Sequence, residues 1–191
     1  MAIIHHTTLQ PTKLELLTEW LPKQPWYRGG AGTPELTKVG GFRLDDPAGE
    51  VGIEFMAVTD DSGPQPVTYH VPLTYRGAPL PDGSAEALIG TLVHGVLGDR
   101  WVYDGTQDPI LVAQVEALLK GEVPAHAQSV DGELDPTVRV RLDAAGGRPE
   151  FVRVLEPGDA APGAAGEVTA EWRGGEGEDR VRGVFVTVHA D

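Results

Sequence analysis

The chain of 191 residues has no cysteine, no asparagine and only four lysines against eleven arginines. Without cysteine there is no disulfide and no thiolate to act as nucleophile or metal ligand. Aromatic residues are scarce, four each of Trp, Tyr and Phe, so a cluster of them marks a place where side-chain bulk is concentrated. No stretch approaches the roughly 20 apolar residues of a membrane-spanning helix. The first residues, Met1-Ala2-Ile3-Ile4-His5-His6, show neither the basic region nor the long apolar run of a secretory signal. These absences lead us to expect a soluble cytoplasmic protein without membrane contact.

Positive charge is also short. Twenty-nine acidic residues against fifteen Lys and Arg give a formal net charge of −14. Such a surface repels nucleic acid and anionic lipid, and its plainest role is solubility. The length suits one domain or two small ones. It falls short of the about 250 residues of a (β/α)8 barrel, which argues against a complete barrel-type glycosidase or branching enzyme.

Hydrophobic periodicity orders the chain. Thr12 suits a helix N-cap, Leu14, Leu17 and Trp20 or Leu21 share a face, and Pro22 ends the run. Leu36 to Leu44, Val51 to Thr59 and Val67 to Tyr75 read as strands separated by Asp/Pro/Gly turns. Residues 88–103 carry a helical stripe, but Gly90, Gly95 and Gly98 interrupt it. Two strands, 88–95 and 99–103, are therefore expected, with a turn at Gly98-Asp99. Asp108, Pro109 and Gly121 frame a helix over 109–120. Beyond a polar stretch at 122–135, strands are expected at 138–142, 151–155, 168–172 and 181–188. The fold class read from this is α+β: a curved antiparallel β-sheet with two flanking helices, followed by a small antiparallel β-meander. Residues 1–125 would form one domain and 126–191 a β-rich extension or subdomain.

Two motifs carry a family likeness. One is Trp20-Leu21-Pro22-Lys23-Gln24-Pro25-Trp26-Tyr27-Arg28-Gly29. The other is Trp101-Val102-Tyr103-Asp104-Gly105 leading to Asp108-Pro109. With the strand hairpins between them, residues of about 8–125 resemble the N-terminal cap domain of actinobacterial maltokinases. They are similar too to short stand-alone cap-like proteins, sometimes labelled 1,4-alpha-glucan branching proteins. The resemblance implies an α/β cap that sits on the nucleotide-binding lobe of a kinase, and a setting in trehalose, maltose and glycogen metabolism. That family phosphorylates maltose with ATP and magnesium, but its catalytic motifs have no match here. The nearest text to its His-Gly-Asp is His94-Gly95-Val96, with Val in place of the catalytic Asp. A metal-binding Asn is impossible, and no Lys follows Lys120. Arg28-Gly29-Gly30-Ala31-Gly32 lacks the Gly-Lys-Ser/Thr of a phosphate loop. The chain is therefore expected to be non-catalytic, with no cofactor, and to regulate or scaffold a carbohydrate-metabolism enzyme, either a kinase or a maltosyltransferase.

Three further classes of site have candidates in the chain. Trp26, Tyr27, Trp101 and Tyr103 are the candidate ligand-binding residues, since aromatic faces can stack on the sugar rings of maltose or α-glucan; the competing role for the group is core packing. His5 and His6 and the acidic tips Asp45-Asp46, Asp60-Asp61 and Glu176 to Asp179 lack metal-ligand spacing, so no metal site is expected. Glu54 and Asp104 stand in strand-like or aromatic contexts, yet nothing selects either as one of a pair of glycosidase carboxylates for a glucan-modifying enzyme.

Overall fold

The computed structural model describes residues 8–80, 85–128, 130, 132–143, 147–158, 161–174 and 179–190. Its class is α+β, an open and mostly antiparallel sheet with two short helices. After a short strand at Leu9–Gln10 (β1), helix α1 spans Lys13–Trp20. Thr12 and Glu15 form a reciprocal capping box, each side chain accepting from the other's backbone N–H. Pro22 sits in a single 3-10 turn, Leu21–Lys23, that closes the helix.

Three long antiparallel strands follow: Leu36–Asp45 (β2), Gly52–Asp60 (β3) and Val67–Arg76 (β4). The glycine-interrupted segment forms two strands, Leu88–His94 (β5) and Gly98–Asp104 (β6). The reversal falls at 95–97, just before the expected Gly98-Asp99, with Gly98 taking the positive φ of 73° that closes a three-residue loop. Helix α2, Pro109–Leu119, starts at Asp108, whose side chain accepts from the Ile110 N–H. Next come His126–Ala127 (β7), Arg139–Leu142 (β8), Pro149–Phe151 (β9), Val154–Leu155 (β10), Gly166–Arg173 (β11) and Arg180–Val188 (β12).

One expected element is divided. The run 151–155 alternates like a single strand, but Phe151 pairs with Val186 of β12, whereas Val154 pairs with Tyr69 of β4. Between them the Val152 N–H bonds to Phe185 O, and Arg153 O accepts from the His70 N–H. The chain changes neighbours in midstream, which alternation of side chains cannot reveal because both halves keep the period of two.

Among the described residues the strands make one sheet in the order β1-β5-β6-β4-β3-β2-β11-β12-β9, with β7 beside β2, β8 beside β11 and β10 beside β4. Successive residues of β3 point to opposite faces. Phe55 and Ala57 join Leu111, Val115, Leu118 and Leu119 of α2. Met56 and Val58 join Leu17 and Trp20 of α1. Burial on both faces explains why 53–58 is apolar except at Glu54. The first cluster also takes Trp172 and Phe185 from the last two strands, so it draws on both sides of the 122–135 stretch.

The joint between β2 and β11 is a Gly40-Gly41 step at a β-bulge. A Cβ on Gly40 would lie 2.8 Å from Trp172 Cβ. One on Gly41, at φ 125°, would lie 1.9 Å from Phe55 O and 2.7 Å from Gln128 Nε2. Glycine at both positions lets the two strands approach and leaves room for the Gln128 amide.

Candidate functional site

The aromatic residues of the first motif build a corner on the Met56 face. Trp26 lies edge-on to Trp20, with centroids 5.7 Å apart, and tilts against Tyr69 at 5.9 Å. The Arg153 guanidinium sits 5.0 Å from the Trp26 ring centre, a cation–π contact over its face. Tyr27 stacks on Tyr69 at 5.5 Å and donates its hydroxyl to Asp60 at 2.8 Å. Burial, reinforced by that bond to Asp60, pushes the Tyr27 hydroxyl up to about 12. The glycine-rich loop after it is shaped by the same ring, because a Cβ on Gly29 would fall 1.9 Å from Tyr27 Oη.

Trp101 and Tyr103 lie elsewhere. In the β4–β6 ladder they pair with Arg76 and Thr74, on the face opposite Tyr69. Tyr103 is buried and its hydroxyl accepts from the Leu80 N–H at 3.0 Å. Trp101 is half-buried between Thr91 and Arg76. The four aromatic candidates thus form two groups, one on each face of the sheet.

A different constellation gathers around Glu54, 4% exposed on β3. Lys13 Nζ of α1 lies 2.5 Å from its carboxylate and Lys38 Nζ of β2 lies 3.3 Å away. The Tyr75 hydroxyl donates to it at 2.6 Å and the Gln128 amide at 3.1 Å. Burial alone would raise the Glu54 carboxyl. The two ammonium groups outweigh it, with the hydrogen bonds from Lys13 and Tyr75 adding to them, and hold the group down at about 2. Burial and the Glu54 charge drive the Tyr75 hydroxyl well above its ordinary range. Two of the four lysines in the chain thus meet one carboxylate, from 41 and 16 residues away. A charged residue inside an otherwise apolar strand is the sequence signal for such a paired burial. Its partners are not legible there, because contact across the sheet depends on register.

Two further ion pairs tie elements together. Arg76 grips Asp108 with two bonds of 2.7 Å, so the α2 cap is also a bidentate salt bridge. Desolvation opposes ionisation of Asp108, but the Arg76 hydrogen bond prevails and its pKa is lowered. Arg153 bonds Asp104 and Thr106, closing the gap between β6 and β10 along β4. Beside them His70 is fully buried, its Nδ1 2.9 Å from Val152 O, with Phe185 at 4.7 Å between ring centres. Burial and the nearby Arg153 charge lower its pKa to about 3.

The other candidates have local roles. Asp46 accepts from the Ala48, Glu50 and Val51 N–H groups, and Asp60 from those of Glu35 and Ser62. Both therefore organise their own turns. His94 Nδ1 accepts from the Val96 and Leu97 N–H groups, so the His94-Gly95-Val96 text is a hairpin turn. His5, His6 and Glu176 to Glu178 lie outside the described residues. Among the described residues no group of three or more His, Asp or Glu could hold a metal ion, and no helix is long and apolar enough to cross a membrane.

Residues 20–108 match the family model described as the Maltokinase N-terminal cap domain. The match begins at Trp20 and ends at Asp108, within the two motifs that carry the resemblance. Over that stretch the chain is similar to a maltokinase N-terminal cap domain, which supports a maltokinase N-cap-like reading of it. The match links it to carbohydrate metabolism and the trehalose theme.

Proposed function

We propose that this protein is a non-catalytic cap-like partner that docks on an enzyme of trehalose, maltose or glycogen metabolism, either a kinase or a maltosyltransferase. In this reading residues 1–125 are the docking domain and 126–191 a β-rich extension that braces it. The observation that carries the reading is the use made of the chemistry-bearing groups in the cap-like region. Glu54, Asp104 and Asp108 are each buried and each tie separate elements together through a cation. Exposed apolar bulk instead collects at the turn end of the β5–β6 hairpin, where Val93, Val96 and Leu97 are 54, 62 and 45% accessible. Isolated exposed apolar residues are ordinary, but three at one hairpin end suit a protein contact.

Affinity capture with the full chain tests this. A kinase or maltosyltransferase of the pathway is expected to co-purify with it and to be lost with Val96→Glu/Leu97→Glu. Capture that recovers no enzyme of that metabolism would overturn the proposal. The second reading, binding of α-glucan by Trp26, Tyr27, Trp101 and Tyr103, draws its support from Trp101, which keeps part of its surface open beside Thr91.

A further inference from the structure

We infer that the outward face of β8, β11 and β12 is a second docking surface, one that takes an extended acidic segment of another protein. The surface follows from register. Glu167, Thr169, Glu171 and Arg173 share one side of β11, because Val168, Ala170 and Trp172 enter the core. Opposite them stand Arg141 and Arg139 on β8, and Arg182 and Arg180 on β12. Five of the eleven arginines therefore line one face of a chain with net charge −14. None of the four lysines belongs to those strands.

The face already binds carboxylates. Arg182 holds Glu171 at 2.6 Å, and Arg141 pairs with Glu167 and Asp143. The Arg139 and Arg180 side chains have no hydrogen-bond or ion-pair partner among the described residues. Arg173 donates to the neutral Lys38 carbonyl alone. Arg173 and Arg180 also lie directly across from each other in the ladder. Like charges so placed destabilise a sheet until an anion lies between them. A cleft of about 250 Å³ lined by Arg139, Val140, Arg141, Glu167, Thr169 and Arg182 adjoins this row. The core of the surface is this cleft around Arg139; Arg173 and Arg180 extend it, the loop at 175–178 between them lying outside the described residues.

The spacing favours a strand-like polypeptide over a compact anion. Successive arginine rows are two residues apart along β11, about 7 Å, and the whole row runs about 20 Å. Alternate side chains of an extended peptide repeat at the same distance. Guanidinium forks match carboxylates two bonds at a time. A long nucleic acid would run past the row into the acidic remainder of the surface, which disfavours it.

The test uses the full chain at about 0.1 M salt, where distant charges are screened. The probe is a fluorescein-labelled peptide of alternating Glu and Ser, followed by anisotropy. Binding is expected, weakened about tenfold or more in Arg139→Gln/Arg173→Gln/Arg180→Gln and undisturbed by millimolar inorganic phosphate. All three residues are exposed, and near-UV circular dichroism verifies that the variant is folded. No binding, equal binding by the variant, displacement by phosphate, or tighter binding of a single-stranded oligonucleotide would each overturn the inference. The peptide needs no pathway enzyme, so this result and the capture experiment succeed or fail separately.

Discussion

Lys13 and Glu54 meet at 2.5 Å, the first at the start of α1 and the second near the start of β3. The pair fixes where α1 lies on the sheet, and Lys38, Tyr75 and Gln128 bring β2, β4 and the segment after α2 to the same carboxylate. Removing that carboxylate leaves two ammonium groups facing each other. We expect Glu54→Gln to lower unfolding stability by about 3 kcal/mol, towards the lower end for breaking a buried pair because both lysines can reach water. Lys13→Met should cost less, since Lys38, Tyr75 and Gln128 still hold the carboxylate. Urea midpoints measure both; equal losses would show that Lys38 shares none of the load.

Acid should weaken the fold in two overlapping legs. His70 resists protonation when folded, at about 3 against an ordinary 6.5. The unfolded chain therefore binds the extra proton, and stability falls as pH drops from 6.5 towards 3. Glu54 is held at about 2 against 4.5, so a second loss runs from pH 4.5 down to 2. That second loss is on the order of 3 kcal/mol. Denaturation midpoints as a function of pH should show both legs. His70→Gln should abolish the first and leave the second.

The joint glycines predict a contrast. Gly41→Ala meets Phe55 O and a φ of 125°, and should cost about 2–4 kcal/mol with loss of the Gln128 contact. Gly49→Ala also takes a positive φ, 70°, but has open space around it, so about 1 kcal/mol is expected. Thermal melts of the two variants provide the comparison.

Helix caps should differ in the same way. Thr12→Ala removes an exposed cap worth about 1 kcal/mol. Asp108→Ala removes a cap and also leaves Arg76 without its bidentate partner, so a loss of about 3 kcal/mol is expected in equilibrium unfolding.

Sugar should leave the indoles unmoved under the docking proposal. Trp20 and Trp172 are buried, and Trp26 has Arg153 over its face. Titration with maltooligosaccharides should not change tryptophan emission. A saturable change lost in Trp101→Ala would move the α-glucan reading ahead.

Much of the local structure was legible because it depends on near neighbours in the chain. Thr12 and Glu15 are one helical turn apart, and Asp108, Pro109 and Gly121 mark the ends of α2 by capping chemistry alone. The three long hairpin strands follow from alternation and turn residues, and Trp20 to Gly29 with Trp101 to Pro109 carry the family likeness. The division of 151–155 between β12 and β4 was not legible. Nor was the convergence of Lys13, Lys38 and Gln128 on Glu54, or the alignment of Arg139, Arg141, Arg173, Arg180 and Arg182. Each depends on which strands pair and in what register. A shift of one residue would send every one of those side chains to the other face. Sequence by itself determined most of the elements, their caps and the cap-like resemblance. Tertiary structure alone decided which charges meet, because burial and cross-strand distance, rather than separation along the chain, set the strength of an ion pair.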